Sequence, residues 1–267
     1  MADQATLNTA PPANVHVSRV VDVKHYTDKL FAFTCVRPES FRFRSGEFVM
    51  IGLMNGQKPL LRAYSIASAA WDETLSFYSI KAPDGPLTTR LQHIQPGDDI
   101  LLGRKPTGTL VHDALLGGKR LYLFSTGTGI APFASLIREP ETYARFDEII
   151  LTHTCRTDAE LTYGREIVDA ANEDPLVGEE VRAKLRHFTS LTRESHPHQG
   201  RITTLIENGA LFEALNVPAL DPAHDRVMIC GSVSMLQDVR ALVLDRGFSE
   251  GANHEPGTFV VERAFAG

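Results

Sequence analysis

The chain has 267 residues, 43% apolar and 22% charged, which suits a globular protein with a sizeable core in one large or two ordinary domains. Its net charge of −6 is uneven: residues 1–116 carry 12 Lys/Arg and 11 Asp/Glu, residues 117–267 carry 15 and 22, and neither half offers a nucleic-acid-binding surface. Three scattered cysteines, Cys35, Cys155 and Cys230, suit neither a disulfide framework nor an iron–sulfur cluster, so redox chemistry here would need an organic cofactor or a partner. The close pair His196 and His198 sits in a polar run with no Cys or carboxylate placed to complete a coordination set, so no metal site is expected. No window approaches the roughly 20 apolar residues of a bilayer span. The start, Met1-Ala-Asp-Gln-Ala-Thr, lacks a basic n-region and an apolar h-region. A cytoplasmic monomer is the expectation. The less acidic first half is compatible with an acidic partner.

Residues 1–13 read as a loose arm, and residues 14–104 as short strands. Asn14–Lys24 mostly alternates apolar with polar side chains, and Lys29–Val36 is rich in β-branched and aromatic residues. Glu47–Leu53, Leu60–Ile66, Thr74–Lys81 and Asp99–Leu102 follow. Turns at Arg44-Ser-Gly46, Asn55-Gly56, Pro83-Asp-Gly85 and Gln95-Pro-Gly97 separate them. Strands so spaced predict a barrel or sandwich, with a short helix at Leu87–His93. From Lys119 the texture changes to strand–helix alternation. Arg120–Phe124 is an apolar strand, and a glycine turn leads to a helix opening at Pro132. Glu148–His153 is a strand, Asp158–Ala171 a helix capped by Asp158, Leu185–Leu191 a strand and Ile202–Leu211 a helix. Arg226–Cys230 leads into a helix that Gly247 ends, and Thr258–Glu262 is the last strand. This alternation predicts a parallel sheet covered by helices, with a domain boundary near His112–Gly118.

Several segments carry chemistry. In Leu61-Arg-Ala-Tyr-Ser-Ile66, strand geometry puts Arg62 and Tyr64 on one face and Ser65 on the other. A guanidinium there can pair with a pyrophosphate while a flat ring stacks on a flavin. Phe77-Tyr-Ser-Ile-Lys81 and Gly85-Pro-Leu-Thr-Thr89 follow at short range. Phe124-Ser-Thr-Gly-Thr-Gly-Ile-Ala-Pro-Phe133 runs from a strand through paired glycines into a helix with Pro132 in its first turn, a setting that favours a pyrophosphate. Pro132 occupies the third glycine position of the dehydrogenase fingerprint, so this is a different loop. Met228-Ile-Cys-Gly-Ser232 puts Cys230 at a strand's carboxyl end, where ligands of open α/β sheets sit.

In this order the motifs Arg62-x-Tyr64-Ser65, Gly85-Pro-Leu-Thr88, Gly127-Thr-Gly-x-Ala-Pro132 and Cys230-Gly-Ser232 resemble the plant-type ferredoxin–NADP(H) reductase superfamily, and within it the bacterial ferredoxin/flavodoxin–NADP(H) reductases. The resemblance runs from about Val15 to Gly267. It implies two domains: an antiparallel Greek-key β-barrel for FAD (1–115), then an α/β Rossmann-like parallel-sheet domain for NADP(H) (116–267). A C-terminal tail would return to the flavin. It implies FAD contacts from Arg62, Ala63, Tyr64, Ser65, Tyr78, Ser79, Lys81, Pro86, Leu87, Thr88 and Thr126, and from the tail residues Phe265, Ala266 and Gly267. For NADP(H) it implies Thr126, Gly127, Arg156, Thr192, Arg193, Arg201, Cys230, Gly231 and Ser232, with the arginines on the phosphates. Ser65, Cys230 and Glu262 would meet at the reacting rings. Ala264 stands where plant-type enzymes carry a flavin-stacking tyrosine, so their tyrosine-displacement step does not carry over. The activity implied is electron exchange between NADP(H) and ferredoxin or flavodoxin. Two other readings stay open at this stage: a standalone reductase component of an oxygenase, and a flavin- and nucleotide-binding electron-transfer or regulatory subunit without turnover.

Overall fold

The structure, a computed structural model, describes residues 13–263. Six strands, β1 (Val15–His25), β2 (Leu30–Val36), β3 (Phe48–Asn55), β4 (Lys58–Ser65), β5 (Thr74–Ile80) and β6 (Asp99–Gly103), form one antiparallel sheet in the order β4-β3-β6-β1-β2-β5. The sheet curls so that its edges meet. The Tyr64 hydroxyl and the Ser79 hydroxyl lie 3.0 Å apart across the seam, and the Ala67 amide donates to Ser76 O at 2.9 Å. This partial closure covers strand edges that would otherwise be open to pairing with another chain. Phe31, Phe33, Ile51, Ile66, Leu75 and Phe77 fill the interior, all almost fully buried. The short helix α1 (Thr88–Leu91) lies between β5 and β6.

The second sheet is parallel: β7 (Arg120–Thr126), β8 (Glu148–Cys155), β9 (Leu185–Leu191), β10 (Asp225–Gly231) and β11 (Phe259–Arg263), ordered β11-β10-β7-β8-β9. Every residue of β10, and all of β7 except Thr126, is buried, as expected of strands covered on both faces. Helices α2 (Ala131–Leu136), α3 (Pro140–Arg145), α4 (Thr162–Asn172), α5 (Gly178–Lys184), α6 (Ile202–Glu207), α7 (Ala210–Leu215) and α8 (Val233–Asp245) provide the cover. The expected barrel followed by a parallel α/β sheet is therefore what the chain builds.

Details depart from the sequence reading. The helix read over Ile202–Leu211 breaks into α6 and α7 because Gly209 adopts φ +81°, a left-handed conformation that glycine takes without penalty. Asp158 caps no helix. It lies in a 3₁₀ turn, and its carboxylate pairs with Arg165 at 2.5 Å instead. Helices α3 and α5 were not read from the sequence; each is only 6 or 7 residues long, too short for a clear period.

One hydrophobic cluster crosses between the sheets. Leu30, Ala67 and Tyr78 of the barrel pack with Leu121, Ile130, Phe133 and Tyr163 of the second domain. Polar ties flank it. Arg138 donates to both carboxylate oxygens of Asp72 at 2.6 and 3.0 Å and to Asp174 at 2.8 Å, and Ser45 donates to Glu139 at 2.9 Å.

Candidate functional site

The parallel sheet reverses its winding between β7 and β10: β8 and β9 lie on one side, β10 and β11 on the other. The carboxyl ends of β7 and β10 flank that switch point, where α/β sheets leave a crevice. Thr126 and Gly127 end one strand, and Cys230, Gly231 and Ser232 end the other. The Ser232 amide donates to Thr126 Oγ1 at 3.1 Å, so one hydroxyl ties the two loops. Gly129 lies so close to β10 that a Cβ on it would sit 2.2 Å from the Cys230 carbonyl oxygen, which makes glycine obligatory there. Cys230 is completely buried, and burial together with the Glu262 carboxylate pushes its thiol well above the usual range.

Across this crevice stands the barrel. Ala63, Tyr64, Ser65, Tyr78, Ser79 and Ile80 form one wall of a cleft, and Thr128 and Ala131 form the other. Ala63, Tyr64 and Ser65, at the carboxyl end of β4, all border the cleft. Tyr64 packs edge-on against Phe77, with centroids 6.4 Å apart. The Arg62 guanidinium donates only to its neighbour's carbonyl, Leu61 O at 2.9 Å, and has no carboxylate partner among the described residues. Lys81 Nζ donates to Thr27 O at 3.3 Å. Beyond β5, the Thr88 and Thr89 hydroxyls turn inward to Ala82 and Gly85 carbonyls. They brace the Gly85–Leu87 turn, so only backbone amides of Leu87 and Thr88 are left to meet a phosphate. Pro86 is exposed at its tip.

The arginines expected on nucleotide phosphates lie beyond β8 and β9. Backbone bonds from Thr192 N to Cys155 O and from Arg193 N to Arg156 O, both 3.0 Å, bring Arg156, Thr192 and Arg193 together. The chain then loops out and returns, with Gly200 N on Leu191 O at 2.9 Å, so Arg201 re-enters beside them at the start of α6. All three arginines are exposed and form no ion pair among the described residues.

Glu262 lies on β11, in register with Cys230. Its carboxylate accepts the Thr109 amide at 3.1 Å, and the Thr109 hydroxyl donates to Val261 O at 2.9 Å, which fastens the last strand to the barrel's final loop. Burial, partly offset by the Thr109 amide and reinforced by the Glu47 carboxylate, raises Glu262 to about 7. Ser65 stands in the cleft, while Cys230 and Glu262 sit side by side at the ends of neighbouring strands. The tail residues Phe265, Ala266 and Gly267 lie outside the described residues.

The site also contains residues that the sequence reading did not single out. His153 is fully buried, and its Nε2 donates to the Gly127 carbonyl at 3.0 Å. Burial, followed by the nearby His187, lowers it to about 3, so it is neutral in use. Tyr163 stacks face to face on Tyr78 at 3.8 Å. Thr109, in Lys105-Pro-Thr-Gly-Thr109, carried no signal beyond a glycine between threonines.

The cleft residues fit an isoalloxazine and a dinucleotide. The buried Tyr78 hydroxyl has no hydrogen-bond partner among the described residues, the cation of Arg62 is uncompensated, and aromatic rings line the barrel side. Residues 123–241 match a family model described as an oxidoreductase NAD-binding domain. The chain is 58% identical over 249 residues to a flavodoxin/ferredoxin–NADP reductase of Rhodobacter capsulatus, covering 93% of this chain and 92% of that protein. It is 49% identical over 254 residues to a ferredoxin–NADP reductase of Pseudomonas aeruginosa, covering 95% and 98%. Among solved structures, a ferredoxin–NADP+ reductase from Neisseria gonorrhoeae with bound FAD and NADP superposes with a TM-score of 0.86 at 33% identity, over 95% of this chain and 100% of that one. With the crevice, the cleft and these relatives in agreement, the chain belongs to the bacterial ferredoxin/flavodoxin–NADP(H) reductase family.

Proposed function

We propose that this protein is an FAD-dependent oxidoreductase that exchanges electrons between NADP(H) and ferredoxin or flavodoxin. The observation that carries the reading is the cleft in which Tyr64, Ser65 and Tyr78 of the barrel face Thr128 and Ala131 of the nucleotide loop. When bound, FAD supplies the conversion between the two-electron hydride of NADPH and the single electrons of a protein carrier. The chain's part is alignment and electrostatics. Tyr64 would offer a flat side chain, Tyr78 its unpartnered hydroxyl, Arg62 would neutralise the diphosphate while the Leu87 and Thr88 amides donate to it, and Ser79, Lys81, Pro86 and Ala63 would complete that wall. Thr126, Gly127, Gly231 and Ser232 shape the crevice for the nicotinamide half, while Arg156, Thr192, Arg193 and Arg201 hold the far phosphates. Ser65 hydrogen-bonds at the flavin's reactive edge, Cys230 packs beside the nicotinamide, and Glu262, raised to about 7, holds or releases a proton near working pH.

In this reading residues 1–115 and 116–267 are the two functional units, and the chain works as a cytoplasmic monomer without nucleic-acid or membrane partners. No helix among the described residues is long and apolar enough to cross a membrane. The test is direct. The purified protein should be yellow and should pass electrons from NADPH to an artificial acceptor and to a ferredoxin or flavodoxin. A colourless protein, or a yellow one that NADPH does not reduce, refutes the proposal. Cys230→Ala and Ser65→Val should slow reduction of bound flavin while leaving it bound, and wild-type rates in both would remove those roles.

A further inference from the structure

One line of contacts joins the barrel wall of the cleft to the nucleotide loop without passing through the cleft. Tyr78 lines the cleft from β5. The ring of Tyr163, in the first turn of α4, lies parallel to it at 3.8 Å and 9°. Tyr26 meets both rings edge-on, at 5.8 and 5.5 Å. One turn along α4, Glu166 receives the Tyr26 hydroxyl at 2.7 Å and Lys24 Nζ at 2.6 Å, so the start of α4 is pinned to the barrel by rings and charge together. The next residue after Tyr163 makes the second connection. Gly164 approaches β8 so closely that a Cβ would lie 2.4 Å from His153 Nδ1 and 2.9 Å from Ile130 Cδ1. His153 in turn holds the Gly127 carbonyl at 3.0 Å. Stacked rings on one side and helix–strand contact on the other therefore link Gly127 to the barrel wall of the cleft.

We propose that Tyr163, Gly164, His153 and Glu166 form a strut that sets the distance between the flavin wall and the nucleotide loop, and that they are positioning residues for hydride transfer. The inference rests on the function proposed above. Hydride transfer requires the two rings in contact, and a misplacement on the order of 1 Å costs about a hundredfold in rate. A strut of packed rings meets that requirement better than a hinge, because aromatic stacks and helix–strand contacts resist compression. None of the arginines assigned to the nucleotide phosphates contacts Tyr163, Gly164 or Glu166, so disturbing the strut there should alter the rate of transfer more than the affinity for nucleotide.

The test uses FAD-loaded protein and rapid mixing. In Tyr163→Leu the limiting rate of flavin reduction by NADPH should fall about tenfold or more, with KM for NADPH changed about twofold at most. Reduction by dithionite, which needs no nucleotide loop, should be unchanged. Tyr163→Phe keeps the ring and should recover the wild-type rate. Gly164→Ala, which pushes on His153, should show the same split between kcat and KM. If either protein loses its flavin, Glu166→Gln, which keeps the side chain's size but removes the charge that pairs with Lys24, decides the matter through a smaller fall, about threefold, in the same rate. Wild-type reduction rates in the flavin-loaded variants overturn the strut, and so does a loss confined to KM. A wild-type protein without flavin, or one not reduced by NADPH, fails the functional reading itself, and the two failures are told apart before any variant is made.

Discussion

Replacing Glu262 by Gln tests the electrostatics of the site through stability. In the unfolded chain this carboxyl titrates near 4.5, and in the folded protein at about 7. Between those values the folded protein keeps a proton that the unfolded chain has already released. The stabilisation is complete below pH 4.5, falls as pH rises through 7, and is gone above it. The gap corresponds to about 3 kcal/mol at full ionisation, an upper bound because the side chain is not wholly shielded from water. Buried histidines act in the opposite direction. His112 and His187, each lowered to about 4 chiefly by burial, and His153, lowered to about 3, favour the folded state as pH rises toward 6.5. Their contribution is common to both proteins and cancels in the comparison. Urea unfolding of the holoprotein and of Glu262→Gln from pH 5 to about 8.5, at one fixed excess of FAD, gives the difference directly. The variant should gain on wild type as pH rises to about 7 and level off above it, by about 2 to 3 kcal/mol at the alkaline end. Parallel profiles would mean that Glu262 is ionised throughout, and the proposed proton-handling role would fall with them.

Arg201→Ala should raise KM for NADPH about tenfold or more while leaving NADH turnover unchanged, since a charge-assisted hydrogen bond to phosphate contributes about 1.5–3 kcal/mol; equal changes for both nucleotides would refute the assignment. Gly129→Ala drives a methyl onto the Cys230 carbonyl, so the yellow protein should keep its flavin absorbance but lose most NADPH-dependent dye reduction. Unaltered activity would show that the two loops need not touch. Arg138→Ala removes the shared partner of Asp72 and Asp174 and strands two carboxylates, for a loss of about 2–4 kcal/mol in chemical denaturation; a change under about 0.5 kcal/mol would show the tie to be idle.

The candidate site could be named from the sequence because the chemistry proposed for it depends on short stretches of backbone. Arg62–Ser65, Gly127–Pro132 and Cys230–Ser232 are strand ends and turns whose glycines, prolines and hydroxyls carry meaning within a few residues. Both sheets were legible for the same reason: alternation marks β1, and an unbroken apolar run marks β7. The rest depends on partners far apart in the chain. Thr109 acquires its role only when residue 262 arrives beside it, 153 positions later. Tyr163 reads as an ordinary aromatic residue in an amphipathic helix until Tyr78 meets its ring. His153 lies within an apolar strand and gives no sign that Gly127 will sit above it. The break at Gly209 was available in the sequence but was outvoted by the helical pattern on either side.

The cluster in which Leu30, Ala67 and Tyr78 join Leu121, Phe133 and Tyr163 also governs how the gene can be cut. A fragment ending near residue 115 would keep its barrel strands yet bare an apolar flank, and the complementary fragment would bare the matching one. Grafting the nucleotide half of a relative onto this barrel would succeed only if the graft brought its own counterparts of those side chains.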